Sequence, residues 1–375
     1  MKISKQQILM ILILLIIAYV YSTYSGKLNN DTEKEERDLI QKFLANDVNK
    51  MDRKKPFLWI PVDYDVNQRQ WLNFGSRNTT NLNQPYLYLT IRSIIKHCEK
   101  SFTICIFDDN SFSKLIPNWS INLNSISDPI LSNMRSLGMM KLLYIYGGLL
   151  CPISFLCMHD LIRMYSKGTR GDKMFICENI NRNSSSVSSN FYPDITFCGA
   201  PKECKTVEEL CNYIQIISSH DHVGESKFLG QFNRWTMKRI EQKNINLIEG
   251  IEIGIKTVDE DAVLVDNLLG ENYIHFYPSM YGIWIPAASI LKRTNYEWFA
   301  RMSPEQIFQS NFILAKYFVL ALAPDSKMGV IEPLTGKNGD KPDWISFWQV
   351  PMSSTLPVFG QMPIGIGNNV PKFHL

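Results

Sequence analysis

The chain has 375 residues, 45% of them hydrophobic and 20% charged, with a formal net charge of +3. That length buries a substantial core in one large domain or two smaller ones. The near-balance of charge, without basic clustering, speaks against nucleic acid as a partner.

Lys2 and Lys5 precede an apolar run, and the eighteen residues from Ile8 to Ser25 are all uncharged. A bilayer-spanning helix needs roughly 20 such residues. The lysines ahead of the run predict a cytoplasmic N-terminus, with the body lumenal or extracellular. The rival is a cleaved signal peptide, whose apolar core runs about 7–15 residues; only a weak cleavage site, Thr23-Tyr24-Ser25 before Gly26, is present. Residues 1–26 are therefore read as a single-pass signal anchor contacting the lipid bilayer through residues 8–25. Residues 27–55 are densely charged, and Leu39, Ile40, Phe43, Leu44 and Val48 recur at helical spacing, which predicts a helical stem. Eight cysteines, at 98, 105, 151, 157, 177, 198, 204 and 211, and sequons at Asn30, Asn78, Asn118 and Asn183 suit a lumenal body. Buried thiols acting as small hydrophobes explain the cysteines equally well.

An α/β domain is expected over 56–323. FLWIPV (57–62) reads as a strand, YLYLTIRSIIKHC (86–98) as a helix and SFTICIFDDN (101–110) as a strand ending in carboxylates. This order is that of a parallel sheet with crossover helices. SNMRSLGMMKLLYIYGG (132–148) reads as a helix stopped by its glycine pair, and LLCPISFLCMHDL (149–161) as one buried strand. Residues 179–193 read as an exposed loop, and DITFCGAP as a short strand. Helices are expected at 207–219 and 228–242, then strands around GIEIGIKTV, AVLVD and NYIHFYP. The last helix, 303–323, opens with Ser303, Pro304 and Glu305. The Pro-, Gly- and Trp-rich tail, 324–375, is expected to pack on the domain.

Leu142, Leu143 and Tyr144 lead into Tyr146-Gly147-Gly148, followed by Leu149. This unit resembles the Asp-x-Asp glycosyltransferases of GT-A fold, in the branch with initiating mannosyltransferases and capsular-polysaccharide sugar transferases. The resemblance implies a mostly parallel sheet with helices on both faces, and a nucleotide sugar or glycan as ligand. In that family an Asp-x-x-Arg on the helix contacts the nucleotide sugar. The Asp-x-Asp at the strand end holds a divalent cation that stabilises the leaving diphosphate. Here Ser136 and Met139 stand at the helix positions, with Arg135 one residue away, and Pro152 and Ser154 stand where the two acids belong. Pro cannot ligate a metal, and a neutral Ser hydroxyl replaces a carboxylate poorly. The motif is degenerate. Mn2+ or Mg2+ is expected only if carboxylates outside it form a site. The chain is also similar to uncharacterised single-anchor membrane proteins of large DNA viruses.

Other residues offer chemistry. Asp63-Tyr64-Asp65 is a literal Asp-x-Asp, but it follows the first strand. Asp108 and Asp109 end the second, where ligands bind in open α/β sheets; they hold a nucleotide base or ribose, or cap the next helix. Lys141, one turn before Tyr146, offers a cation in place of a metal. His220 and His222 are weak metal candidates, and His275 sits where related enzymes place a histidine near the diphosphate. Trp344 and Trp348 stack on a sugar or pack the tail. The candidate substrate-binding set is Asp108, Asp109, Ser136, Lys141, Tyr146, Gly147, Gly148, Ser154 and His275. Three functions stay open. One is a degenerate, non-catalytic or weakly active nucleotide-sugar or glycan binder. Another is an active transferase with a metal-independent or relocated site. The third is a membrane-anchored structural or surface protein without sugar chemistry.

Overall fold

The computed structural model describes residues 54–62, 84–128, 130–180, 191–219, 231–292 and 294–322. The expected anchor at 1–26, nearly all of the expected stem, Asp63 to Asp65, His220, His222, Trp344, Trp348 and the expected packed tail lie outside them. Among the described residues no helix is long and apolar enough to cross a membrane.

The body is α/β, with a mostly parallel six-stranded sheet flanked by helices. FLWIP forms β1 (Phe57–Pro61), whose first four residues are buried, as a strand covered on both faces requires. Helix α1 (Tyr86–Cys98) crosses to β2 (Thr103–Phe107), which lies parallel to β1 with Trp59 beside Cys105. Helix α2 (Ile130–Tyr146) then carries the chain to β3 (Gly148–Leu150), which joins the other side of β1, also in parallel. The winding direction therefore reverses between β1 and β3. In open α/β sheets the crevice at the carboxyl ends of strands flanking such a reversal is where ligands bind.

Beyond β3 lie β6 (Phe191–Ala200), antiparallel to both its neighbours, then β5 (Met174–Ile180) and β7 (Ile245–Ile248), giving the order β2-β1-β3-β6-β5-β7. A separate antiparallel pair is formed by β4 (Phe155–Cys157) and β8 (Gly282–Trp284). One apolar cluster packs α2 and α3 (Lys205–Ser219) against Phe57, Trp59, Leu150, Ile176 and Cys198 of the sheet. A second gathers Tyr86 and Leu89 of α1, Leu156 of β4 and Ile283 of β8 under the C-terminal helices, including Phe318. All eight cysteines are buried.

Several elements depart from the sequence expectation. Residues 149–161 are two strands in different sheets, because the turn at Pro152 to Ser154 redirects the chain. Strands β5 and β6 take the two ends of the loop expected at 179–193, up to Ile180 and from Phe191, and 181–190 lie outside the described residues. Around 250–278 the expected strands are absent: Gly250–Ile253 is a 3-10 turn, Val265–Leu269 a short helix, and only Lys256 and Ala262 bridge. Of the alternating isoleucines there, Ile253 and Ile255 are buried across a tight turn, with Gly254 at φ 66° against the backbone of Gly282 and Ile283. The last helix is broken into Pro304–Phe308 and Ile313–Leu322.

Candidate functional site

A cavity of about 400 Å³ opens at the β1/β3 reversal, within the range of small-molecule sites. Pro61 ends β1 at its edge, Met139 of α2 reaches it, and the turn Pro152-Ile153-Ser154 forms one wall. Asn179 and Ile180 of β5 line the facing wall with Tyr192, Asp194 and Thr196 of β6. The period-two geometry of a strand puts 192, 194 and 196 on one face, while Ile195 and Phe197 point into the core. Ile255, Trp284, Ile285 and the segment Pro286 to Ser289 close the remaining side.

The wall is fixed by ordinary strand chemistry. Ile285 N–H donates to the Ser154 carbonyl at 3.1 Å, tying the turn to β8. Phe155 pairs with Trp284, whose ring meets Phe197 edge-on at 5.6 Å. Asp194 is the one carboxylate of the cavity among the described residues, and neutral donors surround it. Oδ1 accepts from Thr196 N–H at 2.9 Å and Thr196 Oγ1 at 2.8 Å. Oδ2 accepts from Asn179 Nδ2 at 2.7 Å and from the Tyr192 hydroxyl at 3.3 Å. Among the described residues no Lys, Arg or His lines the cavity. The nearby Lys256 is engaged with Glu178 at 2.7 Å.

This donor set does not fit Mn2+ or Mg2+. A hard cation takes about six oxygen ligands, whereas Asp194 already accepts four hydrogen bonds, about its whole capacity. Among the described residues no three His, Cys, Asp or Glu side chains gather into a metal-holding group.

Of the candidates from the sequence, Ser154 lines the cavity, with Pro152 beside it and Met139 at the position of the family's helix Arg. The others lie elsewhere. Asp108 accepts from Ser111 N–H at 2.9 Å and caps the 3-10 turn Asp109–Ser111. Asp109 is gripped by Arg135, Nη2 to Oδ2 at 2.7 Å and Nε to Oδ1 at 3.0 Å. Ser136 Oγ donates to the Ser132 carbonyl at 2.9 Å, and Lys141 Nζ sits 5.8 Å from the Trp119 ring centre. Tyr146 packs on Phe57 and Trp59 and donates its hydroxyl to the Leu115 carbonyl at 2.7 Å. His275 is exposed, with Nδ1 3.3 Å from Asp259 Oδ2. His220 and His222 lie outside the described residues.

Gly147 and Gly148 act on the cavity indirectly. Gly147, at φ 69°, ends α2 by donating N–H to the Leu143 carbonyl at 2.8 Å; its own carbonyl accepts from Trp59 Nε1 at 2.9 Å. A Cβ there would meet Lys202 N at 2.7 Å. A Cβ on Gly148, at φ 108°, would collide with the Phe57 carbonyl oxygen. The glycine pair lets the helix end abut β1 so that β3 can pair with it, which aims Pro152 to Ser154 at the cavity.

Asn179, Tyr192, Asp194, Thr196 and Trp284 had no signal at a single position. The alternation Tyr192-Pro-Asp194-Ile-Thr196 was the available clue, visible only once 191–200 is taken as a strand rather than partly as loop. No family model, curated protein or solved structure matches the chain.

Proposed function

We propose that this chain is a membrane-anchored, GT-A-like glycosyltransferase relative that binds a nucleotide sugar or glycan without a metal cage and is non-catalytic or weakly active. The anchor rests on the uncharged run from Ile8 to Ser25 with Lys2 and Lys5 before it, and it places the body in the lumen or outside the cell. The observation that carries the ligand reading is positional. The cavity lies at the carboxyl ends of β1 and β3, and its wall is Pro152 to Ser154, where the resembled family has its Asp-x-Asp. The remaining lining suits a sugar, with an aromatic ring from Trp284, polar groups from Asn179, Asp194 and Thr196, and apolar flanks. Absence of turnover is expected, because among the described residues no cation of the lining offsets a departing diphosphate and Asp194 is fully hydrogen-bonded.

The test is calorimetric titration of the detergent-solubilised full chain with GDP-mannose and with UDP-glucose. Saturable binding of one of them is expected, weakened by Ala288→Trp, which puts bulk at the exposed edge of the cavity. A folded protein that binds neither overturns the reading.

A further inference from the structure

The charge of the cavity sets which sugars it can take. We infer that the site selects an uncharged sugar ring over an acidic one, and that Asp194 is the residue that enforces the choice. The inference rests on the reading above that the cavity takes a sugar.

Asp194 is half-buried, and its hydrogen-bond partners among the described residues are neutral donors: an amide, two hydroxyls and a backbone N–H. Such donors carry no charge of their own to offset that of a carboxylate. Among the described residues no cation faces it, since the lining has none and Lys256 is spent on Glu178. The charge also reaches the core behind the strand. Burial pushes the Cys198 thiol up, and the neighbouring Asp194 carboxylate pushes it further.

A neutral hexose exploits this arrangement. Its hydroxyls donate to Oδ2 by displacing the long 3.3 Å contact from Tyr192, and its apolar face has Trp284 available. A uronic acid of the same ring shape brings a second carboxylate into a cavity of about 400 Å³ that already holds one. Two like charges about 6 Å apart, at an effective dielectric of about 20, separate two affinities by up to about a hundredfold. Water and salt reduce that gap, so at least about tenfold is expected.

The experiment uses the full chain in detergent and two matched pairs of ligands: UDP-glucose with UDP-glucuronate, and GDP-mannose with GDP-mannuronate. Within a pair the molecules differ only at the sugar's sixth carbon, so the affinity ratio isolates the extra carboxylate. The expected result is a neutral member at least about tenfold tighter than its acidic partner, with the gap closing in Asp194→Asn. Ser289→Asp, which adds a carboxylate to the same wall, widens the gap and serves should Asp194→Asn fail to fold. Equal or tighter binding of the acidic member overturns this inference while leaving the cavity's sugar-binding role intact. A ratio unmoved in Asp194→Asn removes Asp194 from the selection, and one unmoved in Ser289→Asp removes charge at this wall as its basis. Failure of both neutral members to bind removes the underlying reading as well.

Discussion

At the scale of single residues, the glycine pair and the acids of β2 separate by what each position demands of its backbone. Gly148 sits at φ 108° with its missing Cβ against the Phe57 carbonyl oxygen. Gly148→Ala is therefore expected to lose about 2–3 kcal/mol in a urea melt; a loss near zero would mean the β1–β3 contact yields easily. Asp109 is spoken for by Arg135, with side chains 25% and 22% exposed. Asp109→Asn is expected to cost about 1 kcal/mol of stability and to leave GDP-mannose or UDP-glucose affinity unchanged, as calorimetry on the folded variant would measure. The glycines were legible because a helix stop is a local demand of the chain. The cavity role of Asp194 was not, because its donors come from Asn179 on a neighbouring strand and from Tyr192 and Thr196 brought to one face by the pleat.

At the scale of elements, helices were read nearly to their ends because their apolar stripe and caps are written within the segment itself. Helix α1 falls on Tyr86–Cys98 as its periodicity requires, and α2 stops at the glycine pair. The helix after Ser303 keeps its start but not its length. Ser303 Oγ accepts from Gln306 N–H at 3.3 Å, while Gln306 Oε1 accepts from Ser303 N–H at 2.9 Å. That reciprocal cap predicts a loss of about 1 kcal/mol for Ser303→Ala, read as a lower urea midpoint with unchanged slope. Strands were harder. Alternating isoleucines from Ile251 to Ile255 mimic a strand, but Gly254 in the left-handed region turns them into a corner. Strand β6 was half hidden, since its identity depends on pairing with β3 and β5.

At the scale of the whole molecule, the parallel sheet followed from the order of strand, helix and strand, and the cavity's place followed from where the winding reverses. What the sequence lacks at Pro152 and Ser154 the described lining does not restore, because among the described residues it holds one carboxylate and no cation. The proposed lumenal body makes a separate prediction. Asn118 of its sequon is exposed in a left-handed turn at φ 59°. Expressed in animal cells, the full chain is expected to carry a glycan there, so Asn118→Gln runs faster on a gel by one endoglycosidase-sensitive step. A wild-type chain insensitive to endoglycosidase would put the body on the cytosolic side instead. The most direct measurement concerns the metal. Titrating the full chain with GDP-mannose and UDP-glucose, first in excess chelator and then in manganese, is predicted to give saturable binding of one ligand with affinities agreeing within about twofold. Binding that appears only with manganese, or no binding under either condition, would contradict a metal-free sugar site.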